Sequence, residues 1–181
     1  MADCLTIYPL CPKTFERANT NELRENFLLE QLFKPGCVEL VYWDVDRAVI
    51  GSAVPTDREL PLTCPKELAA DYFTQRREIG VFNVGGAGCV KVDGQNYELA
   101  NREVLYIGRG SKDISFVSAD SAKPAMFYLV SFPAHTEYPA VKADVSKALK
   151  ASLGDSKSAN KRTIHKYIHP DGIKSCQLVM G

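Results

Sequence analysis

Residues 76–110, RREIGVFNVGGAGCVKVDGQNYELANREVLYIGRG, carry the pattern that decides the fold. Glu78–Val84 is a short β-branched and aromatic run that closes on Gly85-Gly86-Ala87-Gly88. Cys89–Val92 predicts a second strand, Asp93-Gly94 a tight hairpin turn, and Asn96–Leu99 the returning strand. Val104–Ile107 follows a polar corner, and Gly108 and Gly110 bracket Arg109 where the chain bends again. The glycine run before Cys89 suits a hairpin turn better than a phosphate loop, because the segment after it is a strand and offers no helix N-terminus to an anion. Short strands at near-even spacing with glycine at the corners predict a mainly all-β fold, a small antiparallel barrel or jelly roll.

Upstream of this stretch, Met1–Arg17 has no clear period and is expected to be an irregular or extended arm. Asn19 and Glu22 stand at capping-box spacing, which predicts a short helix from Thr20 to about Asn26. Phe27–Phe33 suits a helix or a strand, and strand is favoured because the β-rich run Val38–Trp43 needs a partner. Arg47–Val54 reads as a further strand, and Cys64-Pro65 opens a one- or two-turn helix. Downstream, Ile114–Val117 and Met126–Phe132 complete the barrel. Beyond Pro133 the texture becomes irregular, with a helix expected near Val145–Leu149 and strands at Thr163–Ile168 and Cys176–Val179.

At 181 residues, one domain is the default, with a barrel core near 72–133, N-terminal strands within 27–54 and an extension over 134–181. Twenty-two basic and 22 acidic residues cancel, so no global field favours nucleic acid or an anionic membrane. No apolar run is long enough to span a bilayer. The start, Met1-Ala2-Asp3-Cys4, lacks signal-peptide character, which favours a cytoplasmic location and free thiols for the six cysteines over three disulfides.

The string G-x-G-x-x-x-x-D-G-x-x-Y-x-L, here Gly86 to Leu99, resembles the barrel of the cupin superfamily. Longer stretches narrow the resemblance: NELRENFL, RREIGVFNVGGAG, LYIGRGSKDISF, FPAHTEYP and the closing NKRTIHKYIHPDGIKSCQLVMG. Together they resemble the first of two barrels in the 5-keto-4-deoxyuronate isomerase family. That resemblance implies a cupin-like jelly roll and a ketol isomerisation of a uronate-derived substrate in pectin breakdown. It also implies a homo-oligomer, a hexamer in the family, and a zinc ion held by the second barrel as the Lewis acid. The chain stops on the apolar Cys176–Gly181 where the family continues, so it is expected to be the non-catalytic N-terminal half, with no metal of its own. A metal-free module that binds a sugar acid is the alternative.

The expected zinc set is two histidines two apart on a strand, a glutamate shortly after, and a third histidine from a facing strand. Matched on Glu78, the histidine positions fall on Asp71 and Phe73, and phenylalanine cannot ligate a metal. Glu78 is then either a relic or an inward-facing carboxylate paired with Arg76 or Arg77, the plainer reading being a salt-bridged polar spot at the barrel mouth. His165 and His169 stand four apart, about 13 Å on a strand at ~3.3 Å per residue, too far to share an ion. His135 lies between prolines in a loop. A carboxylate substrate calls for arginine or lysine, which makes Arg76, Arg77, Glu78, Arg162, His165 and Lys166 the substrate-binding candidates. A solvated basic strand edge is the plainer reading of Arg162–Lys166.

Overall fold

A computed structural model describes residues 4–181, so the Met1–Asp3 end of the expected N-terminal arm lies outside the described residues. The described arm is more regular than the sequence suggests: strand β1 (Leu5–Ile7) is followed by the one-turn helix α1 (Pro12–Phe15). Helix α2 (Thr20–Phe27) begins where expected, its Asn19 side chain accepting from the Asn21 and Glu22 amides while Glu22 accepts from the Asn19 amide. The strand expected over Phe27–Phe33 does not form. Phe27 ends the helix and packs against Phe15 and Trp43, with ring centroids 5.7 and 6.0 Å apart, and the following residues are irregular. The partner that β2 (Val38–Trp43) needs is supplied instead by β1 on one side and β3 (Ala48–Ala53) on the other.

The remaining strands are β4 (Leu60–Pro61), β5 (Arg77–Asn83), β6 (Gly88–Val92), β7 (Gln95–Leu99), β8 (Val104–Ile107), β9 (Ile114–Ser118) and β10 (Phe127–Pro133). The extension adds β11 (Val141–Ala143), β12 (Leu149–Leu153) and β13 (Arg162–Lys166). A seven-stranded sheet runs β1-β2-β3-β10-β5-β8-β11 and a four-stranded sheet runs β4-β9-β6-β7, with β12 and β13 forming a separate ribbon. The two larger sheets pack face to face as a cupin-like jelly roll, and among the described residues no continuous ladder closes it into a barrel. Their shared core holds Val49, Ile79, Val81, Leu105, Phe127 and Leu129 from one sheet and Val90, Leu99, Ile114 and Phe116 from the other.

Asp93-Gly94 is the tight β6–β7 turn, both residues having positive φ, as the hairpin with a two-residue loop requires. The Gly85–Gly88 run is not a hairpin turn. It carries the chain from β5 in the large sheet to β6 in the small one, and a Cβ on Gly86 would run into the Lys123 carbonyl.

The large sheet is covered on both faces. Side chains alternate along β5, so Arg77, Ile79, Val81 and Asn83 face the shared core while Glu78, Gly80 and Phe82 face away from it. On that outer face Tyr106, Val130 and Phe132 meet Tyr167, Ile168, Leu178 and Met180 of the extension. The helix expected near Val145–Leu149 is a turn capped by Asp144, whose carboxylate accepts from the Ser146 and Lys147 amides before β12 begins. Cys176–Val179 is not a strand either, because its amides are drawn to a side chain rather than to a ladder.

Candidate functional site

Glu78 is fully buried, and its carboxylate gathers the end of the chain. Oε2 accepts from the Cys176 amide and the Tyr106 hydroxyl, both at 2.8 Å; Oε1 accepts from the Gln177 amide at 2.7 Å and the Leu178 amide at 2.8 Å. Successive amides in this arrangement form a concave anion site. Burial, and then the bond to Glu78, raise the Tyr106 phenol far above its ordinary range, which keeps the O–H as donor. The expected pairing with Arg76 or Arg77 is therefore wrong, and so is the placement at the barrel mouth. Strand alternation sends Glu78 and Arg77 to opposite faces, and Arg76 donates to the carbonyls of Leu68 and Ala69.

The same geometry tests the implied zinc. Phe73 is buried in the shared core, Asp71 is exposed and bonded to Gln75, and Glu78 lies on the outer face with both oxygens taken. These positions do not fit a zinc ion. His165 is on β13, His169 lies beyond its end with its ring against Gly172, and His135 is exposed in its loop with its carbonyl accepting from Arg109.

Arg77 occupies the open end of the sandwich and is 6% exposed. Its Nε donates to Ser131 Oγ at 3.1 Å, and Nη2 donates to the carbonyls of Arg47 and Ser131 at 2.6 and 2.8 Å. No ion pair among the described residues includes it. Burial pulls its pKa from the ordinary 12.5 down to about 10, so it stays charged at neutral pH. Arg77 lines a cavity of about 280 Å³ together with Tyr42, Arg47, Glu67, Phe73 and Arg76. A neighbouring open depression joins Arg76 to Asp71, Gln75 and Arg109, the last anchored by its bonds to the Gln75 and His135 carbonyls.

Of the six candidates, the structure brings only Arg76 and Arg77 together. Glu78 is on the other face of the sheet. His165 lines a different groove with Phe82, Arg102 and Tyr167, while Arg162 and Lys166 are exposed on the ribbon. Sequence reasoning missed Tyr42, Arg47, Glu67 and Arg109. The glycines flanking Arg109 were the only local signal; Arg47 and Glu67 reach the cavity from two separate turns upstream of β5.

A model of the KduI/IolB family matches residues 32–181. Proteins named 4-deoxy-L-threo-5-hexosulose-uronate ketol-isomerase are similar: that of Caldicellulosiruptor bescii is 47% identical over 174 residues, and that of Lachnoclostridium phytofermentans 49% identical over 170. The alignments cover 96% and 94% of this chain but 63% and 62% of those proteins, so the chain spans less than two thirds of their length. Among solved structures, an IolB-like protein from Salmonella typhimurium LT2 superposes with a TM-score of 0.51 at 14% identity, over 66% of this chain and 43% of that one. No helix among the described residues is long and apolar enough to cross a membrane.

Proposed function

The chain belongs to the KduI/IolB family, and from that premise we propose that it is the non-catalytic N-terminal half of a ketol-isomerase acting on 4-deoxy-L-threo-5-hexosulose uronate. Such an enzyme moves a proton between adjacent carbons, converting the substrate to 3-deoxy-D-glycero-2,5-hexodiulosonate in the breakdown of pectin and related uronic acids. The observation that carries the division of labour is the direction of Glu78. The carboxylate that matches the ligand pattern faces away from the sandwich interior and is spent on holding the chain's last residues. In this reading the zinc centre lies outside these residues, and the jelly roll serves as a scaffold in a cytoplasmic homo-oligomer, a hexamer by family resemblance.

The test is to incubate the purified 181-residue chain with 4-deoxy-L-threo-5-hexosulose uronate, follow product by NMR and measure bound metal by mass spectrometry. The Caldicellulosiruptor bescii protein serves as control. The expected result is neither turnover nor stoichiometric zinc; either one appearing in the short chain overturns the proposal.

A further inference from the structure

We propose that the cavity at the open end of the sandwich, around Arg77, is a binding site for a small hydroxy-carboxylate of the sugar-acid class. The argument begins with an unbalanced charge. A guanidinium has five N–H donors, and those of Arg77 that are engaged go to neutral oxygens of Ser131 and Arg47, leaving Nη1 without a hydrogen bond among the described residues. A buried cation without an anion is costly, and buried charges are normally paired. Arg47 and Arg76 add two more guanidiniums to the same walls, against the single carboxylate of Glu67. An entering carboxylate would supply the missing partner, in the geometry that arginine matches well.

Glu67 narrows the class. Its Oε2 is buried and has no hydrogen-bond partner among the described residues. A carboxylate oxygen only accepts, so the ligand must bring a donor as well as a negative charge, which a hydroxyl on the same molecule provides. The same oxygen disfavours an anion with no proton to donate, such as sulfate. Tyr42 and Phe73 give the cavity an aromatic wall suited to the apolar side of a sugar ring.

The backbone around the cavity supports the assignment. Arg47 and Ala69, both lining residues, have φ of 51° and 46°, a region disfavoured for residues with a Cβ. Their carbonyls are the ones that hold Arg77 and Arg76 respectively. Local strain of this kind persists where surrounding structure fixes it, and here it fixes two guanidiniums at one opening.

The site does not depend on the isomerase reading, because binding to this chain needs no turnover. Isothermal titration of the 181-residue chain with D-galacturonate is the test, with D-galactose and inorganic sulfate as controls. Saturable binding of galacturonate at one per chain is expected, with both controls at least tenfold weaker. Arg77→Gln and Arg47→Asn should each weaken galacturonate at least tenfold. Arg47 is exposed and asparagine tolerates its left-handed backbone, so Arg47→Asn decides the matter even if Arg77→Gln does not fold. Absence of saturable galacturonate binding overturns the proposal. So does sulfate binding as tightly as galacturonate, or unchanged affinity in Arg47→Asn.

Discussion

Glu78 makes four charge-assisted or hydroxyl hydrogen bonds from a fully buried position, and each donor belongs to a group that would otherwise be left without a partner. Glu78→Gln keeps the shape but turns amide hydrogens toward at least one of those donors. A loss of about 2–4 kcal/mol is expected in urea denaturation, with amide exchange rising first at residues 176–178; a change below measurement would mean the clasp contributes nothing. Cysteine reactivity gives a second check at this scale. Burial raises the Cys4 thiol to about 11, whereas the hydrogen bonds of the Cys11 thiol, the largest to Thr14, lower its pKa. At pH 8 far more of Cys11 than of Cys4 is thiolate, and iodoacetamide followed by peptide mapping should label Cys11 first. That Glu78 is the single charge in the run Glu78–Val84 was visible in the sequence. Its direction was not, since alternation fixes which residues share a face but not which face meets the second sheet.

The strands were legible wherever a local pattern settled the matter. Val104–Ile107 has the bounds expected of it, and Asn19 with Glu22 placed the start of α2. The failures at Phe27–Phe33 and Cys176–Val179 share one cause, which is that distant partners set the local conformation. Phe27 is held by Phe15 and Trp43, and Cys176–Leu178 by a carboxylate 98 or more residues away. The candidate cavity was half legible for the same reason: Arg76 and Arg77 lie in the deciding stretch, whereas Arg47 and Glu67 arrive from other turns. Two glycines separate local from distant control. Gly94 has φ of 82° and open space around a would-be Cβ, so Gly94→Ala should cost only its backbone penalty, about 1 kcal/mol. Gly86→Ala meets the Lys123 carbonyl, a backbone atom that cannot swing away, and should cost about 3 kcal/mol. Thermal melts of the two variants side by side measure the difference; equal shifts would mean the corner between the sheets is softer than its packing indicates.

Across the whole molecule the large sheet needs a cover on each side, because the small sheet can bury only one of its faces. The extension is that second cover, and Leu178 and Met180 lie directly over Gly80 of β5. Removing residues 175–181 would take away Leu178 and Met180, two buried apolar side chains, each contributing about 1.5–3 kcal/mol. It would also strip Glu78 of three of its four donors, at about 3–5 kcal/mol for an uncompensated buried charge. The combined loss is comparable with the 5–15 kcal/mol that holds a domain together. A chain ending at Lys174 should therefore lose its cooperative thermal transition, as followed by circular dichroism. Adding Glu78→Leu to that truncated chain removes the stranded charge and fills the outer face, so part of the transition should return. A truncated chain that melts as cooperatively as the full one would show that the sheet stands without its second cover, and no rescue by Glu78→Leu would show that the carboxylate is not what couples the chain's end to β5.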